Sequence, residues 1–84
     1  MDLELYQEIA LTRNFSEYQL QQGDIATLID FVSHPNGGET GCVLEVYNAV
    51  GESIKVVTVP RSAVKRLSSN DVLSSRQLGV RTLT

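Results

Sequence analysis

The chain contains few of the residues that form metal, cofactor and disulfide sites. Its 84 residues contain one cysteine, one histidine, two prolines and no tryptophan. One cysteine and one histidine cannot supply the four protein ligands of a structural zinc site, and a lone cysteine has no partner for an internal disulfide. We therefore expect no metal, no cofactor and no disulfide, and the unpaired thiol favours a reducing compartment, the cytoplasm.

Long apolar runs and basic segments are also missing. No run approaches the roughly 20 apolar residues of a membrane-spanning helix, and the acidic start, residues 1–4, lacks the basic region of a signal peptide. The formal net charge is −3, and Arg13 is the only cation before residue 55. Because nucleic-acid binders present a basic face, nucleic acid is the less favoured partner, and no membrane contact is expected.

What the chain does contain is alternating branched aliphatic residues, which predict β-strands. The alternation predicts strands over residues 4–12, 42–47 and 54–59, and a short fifth strand near residues 64–67. An almost continuous apolar run over residues 25–32 predicts another strand, buried on both sides or carrying a bulge. Turn-forming residues separate them, and Pro60 ends the fourth strand because it has no backbone donor. Between the first two strands we expect a folded-back loop anchored by Phe15, Tyr18 and Leu20. Cys42 shares the inward parity of its strand and is expected in the core.

These elements predict one mainly β domain, a small five-stranded SH3-like barrel over residues 1–68 with a C-terminal tail or short helix over residues 69–84. Closing the sheet would remove the exposed edges that invite aggregation. Ser69, Asn70 and Asp71 could cap a short helix that runs to Gln77, or the segment is a frayed tail. Its apolar residues could pack on the barrel or across a homo-oligomer.

Three segments of the chain together resemble the bacterial "domain of unknown function 4926" family. They are Leu20-x-x-Gly23-Asp24-Ile25-Ala26-Thr27, Gly51-Glu52-Ser53-Ile54 and Val57-Thr58-Val59-Pro60. The resemblance covers about residues 5–67, and this chain has Ala26 where the family often has glycine. It implies a small SH3-like barrel with no established activity. The Gly-Asp-Ile turn is also similar to that of KOW-type barrels, a comparison that Ala26 weakens. Small barrels of this type usually serve as docking surfaces, which implies a protein partner.

No residue constellation predicts catalysis. His34 lies in a loop whose only carboxylate is Glu39, so a solvated histidine is the expected state. A buried Cys42 would be inert. The glycine-rich loop is followed by neither a Lys-Ser/Thr pair nor a helix, so a phosphate-binding loop is not expected. We expect the protein not to be an enzyme.

The function predicted from the sequence is a non-enzymatic protein-interaction or regulatory module, which could neutralise a protein encoded beside it. The candidate partner-binding residues are three tyrosines and one loop: Tyr6, Tyr18, Tyr47, Pro35, Asn36, Gly37 and Gly38. The alternative is a KOW-like nucleic-acid-binding barrel that contacts phosphates through Lys55, Arg61, Lys65 and Arg66.

Overall fold

The computed structural model describes residues 3–34 and 36–72. Its strands are β1 (Glu8–Leu11), β2 (Ile25–Val32), β3 (Gly41–Tyr47), β4 (Ser53–Pro60) and β5 (Val64–Arg66). Two 3₁₀ turns, Ser16–Tyr18 and Arg61–Ala63, precede β2 and β5. The described residues contain no α-helix, so the predicted mainly β class is confirmed.

The strands form one antiparallel sheet in the order β4-β3-β2-β1-β5. The prediction for β2 is confirmed at both ends, and those for β3, β4 and β5 are confirmed to within one residue at each end. The prediction for β1 was too long, because residues 4–7 form a turn. In that turn the Glu4 amide bonds the Gln7 side chain, and Tyr6 adopts a φ of 68°. A bulky residue at positive φ cannot continue a strand.

The expectation of a closed barrel is only partly correct. Over the described residues the sheet is not closed by hydrogen bonds, because β5 pairs only with β1 and β4 pairs only with β3. The two sheet edges are instead joined covalently by the second 3₁₀ turn. Thr12 holds this turn against β1: its amide donates to the Ala63 carbonyl at 2.8 Å and its hydroxyl to the Ser62 carbonyl at 3.1 Å.

One face of the curved sheet is buried and forms the core. Its fully buried side chains come from four of the five strands: Ile9, Leu11, Leu28, Cys42, Leu44 and Val59. The predicted inward position of Cys42 is thus confirmed. Phe15 and Leu20 are buried and Tyr18 is half-buried against the same cluster, so the predicted anchors of the 14–22 loop are confirmed. The loop returns through Gly23 at a φ of 92°, where a side chain would be strained.

Three sequence predictions fall wholly or partly outside the described residues. They are the position of Pro35, the tail or short helix of residues 69–84 beyond Val72, and packing of that segment across an oligomer. Within the described part, Ser68 to Asp71 form a turn: the Asp71 carboxylate accepts the Ser68 amide at 2.6 Å, and the Asp71 amide donates to the Ser68 carbonyl at 3.0 Å.

Candidate protein-docking surface

Exposed apolar side chains concentrate on the hairpin formed by β3 and β4. Of the nine large hydrophobic residues that are exposed within the described chain, four lie in this hairpin, and we call them the hairpin patch: Tyr47 (44% exposed), Val50 (79%), Ile54 (40%) and Val56 (55%). Tyr47 and Val56 lie on adjacent strands, Ile54 lies at the bulge between their pairing positions, and Val50 lies in the turn that joins the strands. An exposed apolar group of this kind is typical of an interaction site.

The alternation of β4 explains why this patch faces solvent. Val57 and Val59 pair with Leu44 and Cys42 and point into the core, so Val56 points to the outer face of the sheet. A bulge at Ile54 then shifts the register, since Val46 pairs with Lys55 whereas Tyr47 pairs with Ser53. Lys55 shares the inner face with its partner, the buried Val46, and with Val57, whereas Ile54, the extra residue of the bulge, is exposed.

Tyr47 is held in place by its neighbours. Its hydroxyl donates to the Glu45 carboxylate at 2.7 Å. Hydrogen bonds from Ser53 and from Tyr47 lower the pKa of Glu45, and the same bond from Glu45 raises the pKa of Tyr47. Glu45 is therefore ionised at neutral pH, and it places a negative charge beside the hairpin patch.

The backbone of β4 also has an open side, because β4 is an edge strand. The Arg61 amide donates to the Thr40 carbonyl at 2.9 Å, which identifies a hydrogen-bonded pair. Such pairs alternate in an antiparallel sheet, so Val57 and Val59 bond β3, whereas Val56 and Thr58 direct their amides and carbonyls away from it. On this side the Tyr18 hydroxyl lies 3.4 Å from the Thr58 carbonyl.

The three candidate tyrosines occupy different places. Tyr6 is 74% exposed, but its amide bonds the Leu28 carbonyl beside β2, so its backbone lies about 14 Å from that of Tyr47 by strand spacings. Tyr18 is half-buried on the inner side, next to β4. Only Tyr47 therefore belongs to the hairpin patch. Val50, Ile54 and Val56 were not predicted, because the candidates were chosen among aromatic residues and turn formers, and the fourth strand has branched residues on both faces.

The loop between β2 and β3 lies at the opposite end of the hairpin, about 20 Å along β3 from Tyr47. His34 organises it: its Nδ1 accepts the Asn36 amide at 3.1 Å, and its carbonyl accepts the Gly37 amide at 3.1 Å. The imidazole covers Gly38, where a Cβ would lie 2.9 Å from the ring. The exposed residues Asn36, Gly37 and Gly38 thus form a surface separate from the hairpin patch.

Among the described residues of this loop, no carboxylate bonds His34. Glu39, the loop's one carboxylate, instead accepts the Ser62 amide at 2.8 Å and the Ser62 hydroxyl at 3.2 Å. That pair ties the β2–β3 loop to the second 3₁₀ turn. Cys42 is buried, and desolvation raises the pKa of its thiol. Residues 3–34 and 36–72 hold no group of three metal-ligating side chains and no helix long and apolar enough to cross a membrane.

The four basic candidates do not share one face. The Lys55 ammonium donates to the Tyr18 carbonyl at 2.7 Å beside β4, and Arg61 donates to the Val64 carbonyl at 3.4 Å. Lys65 and Arg66 lie on β5, at the other edge of the sheet, with Lys65 3.9 Å from a carboxylate oxygen of Asp71. Successive strand residues point to opposite faces, so Lys65 and Arg66 also diverge.

Comparison with known proteins gives no relative: no family model matches the chain, and no curated protein and no solved structure is significantly similar to it.

Proposed function

We propose that this protein is a non-enzymatic protein-interaction module in which an SH3-like barrel presents the β3–β4 hairpin to a partner protein. The strand order, with a 3₁₀ turn immediately before β5, supports this type of barrel. So does the sequence resemblance to the "domain of unknown function 4926" family. A barrel identifies a scaffold and no partner, so the functional proposal depends on the surface.

The observation that carries the proposal is the hairpin patch. A small domain exposes many isolated apolar atoms, but here four large side chains project from ten consecutive residues. Tyr47 stands among them with its hydroxyl fixed by Glu45, so little side-chain entropy is lost when a partner covers the ring. Tyrosine is enriched among the residues that dominate binding energy.

The partner that we propose first is a protein encoded beside this one, which the module would bind and regulate. The test is to co-express the chain with the products of its adjacent genes and to measure complex formation by size-exclusion chromatography and calorimetry. We expect the double variant Tyr47→Ala, Val56→Ser to weaken the complex at least about tenfold, as for a binding hot spot.

The matched control is Val72→Ser, which changes a valine that is 90% exposed and lies outside the hairpin patch. It should leave the affinity unchanged. Equal affinity of the double variant and the control would contradict the docking site. If no adjacent gene product binds, the proposal of regulation in a gene pair is wrong.

The alternative function, phosphate contact by a KOW-like barrel, has weaker support because two of its four basic side chains bond backbone carbonyls. It predicts binding to RNA or DNA that falls steeply as salt is raised. Absence of binding to single- and double-stranded probes at low salt would exclude it.

A further inference from the structure

The outer edge of β4 offers a second kind of contact next to the hairpin patch. Val56 and Thr58 direct backbone groups away from β3, and their side chains are exposed. Only a short stretch of this edge is available for pairing. Pro60, which shares the parity of these two residues, has no amide to offer, and the Thr58 carbonyl has the Tyr18 hydroxyl 3.4 Å away.

The remaining groups match a short extended peptide. The Val56 amide and carbonyl can exchange two hydrogen bonds with one residue of an added strand, and the Thr58 amide can donate a third. Adding a strand to an exposed sheet edge is a common mode of peptide recognition, in which the backbone provides affinity and alternate side chains provide specificity.

The charges of the hairpin indicate what the added strand must carry. Glu45 pairs with Val56 across the sheet and is half-buried on the outer face, and the exposed Glu52 lies in the turn before β4. Lys55, the hairpin's one cation, donates to the Tyr18 carbonyl on the inner side. A partner strand therefore meets carboxylates with no opposing exposed cation on the hairpin, a surface complementary to lysine or arginine.

From these observations we propose that the partner docks by adding an extended segment to the edge of β4, with an apolar residue against Val56 and basic residues flanking it on the outer face. This inference rests on the proposed docking function and specifies how the same site recognises its partner. The side chains of the added strand alternate, so the residues that contact the hairpin patch are every second one along the partner.

The probe is a capped heptapeptide, Thr-Lys-Thr-Val-Thr-Lys-Thr, titrated into the ¹⁵N-labelled chain. We expect amide shifts centred on Val56 and Thr58 and slower hydrogen exchange at both amides. Methylating the peptide's valine nitrogen removes one inter-strand bond and blocks close approach, so binding should weaken at least about tenfold. Replacing both lysines by glutamate should have a similar effect.

Two protein variants carry the same substitution at different places. Val56→Lys puts a charge on the edge and should weaken binding at least about tenfold, whereas Val72→Lys should change it less than twofold. Strand addition would be overturned if the N-methylated peptide or the glutamate peptide bound with the same affinity as the unmodified peptide. It would also be overturned if the Val56→Lys variant bound the peptide with the same affinity as the unaltered protein. Shifts confined to residues 36–38, self-association through β4, or no binding by the lysine peptide would overturn it as well.

The two proposals fail separately. If the co-expression complex needs Tyr47 and Val56 but N-methylation leaves peptide binding intact, docking at the hairpin patch stands and strand addition is wrong. If neither the complex nor the peptide responds to Val56, both are wrong.

Discussion

Replacing Lys55 by methionine separates a structural role of this residue from a phosphate-binding one. The ammonium donates to the Tyr18 carbonyl at 2.7 Å across 37 residues of sequence, and it thereby holds the 14–22 loop against β4. Lys55→Met keeps the aliphatic stem and removes the donor. A hydrogen bond to a charged group contributes about 1.5–3 kcal/mol, and the half-exposed position puts the expected loss at the low end, about 1.5 kcal/mol.

For a domain of this size, that loss corresponds to a fall in Tm of roughly 6–12 °C. The assay is urea unfolding followed by circular dichroism, with thermal melts on the same samples. Lys65→Met is the matched control: it removes the same charge from an exposed side chain 3.9 Å from Asp71, and it should cost less than about 0.5 kcal/mol. Equal stability of the two variants would refute the structural role of Lys55.

Three further predictions concern single side chains. Cys42 is buried and the pKa of its thiol is raised, so at pH 8 it should react with iodoacetamide at least about 100-fold more slowly than free cysteine. In denaturing urea it should react as fast as free cysteine. Rapid alkylation of the folded protein would contradict the burial of Cys42. Hydrogen bonds from Ser53 and Tyr47 lower the pKa of Glu45 in the folded protein. The stabilisation that they give is therefore present above the pKa of the unfolded state and is lost as the pH falls through the folded-state pKa. Tyr47→Phe should raise the Glu45 pKa in a carboxyl NMR titration, and an unchanged pKa would contradict the Tyr47–Glu45 bond. Tyr6→Gly should stabilise the protein by about 0.5–1 kcal/mol, because Tyr6 has a φ of 68°; a lower urea midpoint would show that its side chain makes a contact worth more than this strain.

The strands could be predicted from the sequence because their signal is local. A nearly continuous apolar run predicted the bounds of β2, and alternating aliphatics predicted the inward position of Cys42. Glycine, asparagine and proline marked the turns. The first strand was overextended because its period-2 pattern continues through Tyr6, where the backbone turns. Periodicity describes which residues can share a face, and it does not detect a positive φ.

The candidate site could be predicted only in part. Tyr47 was identified by its outward parity. The fourth strand has branched residues on both faces, so its sequence alone does not decide which row is outward; the pairing of Val57 with Leu44 does, and it places Val56 outward. Lys55 shares the inward parity of Val57, and the bulge at Ile54 lies just beyond it. Long-range ties such as Glu39 with Ser62 join loops 23 residues apart, and no local pattern encodes them.

Strand addition requires that the outer edge of β4 is open in the free protein, and amide hydrogen exchange measures whether it is. Val57 and Val59 bond β3, so their amides should exchange slowly, at rates set by opening of the sheet. The amides of Val56 and Thr58 point away from β3 and should exchange orders of magnitude faster, near the rate of an unstructured peptide. Equal protection of all four amides would show that the edge is already covered, and strand addition at β4 would then be wrong.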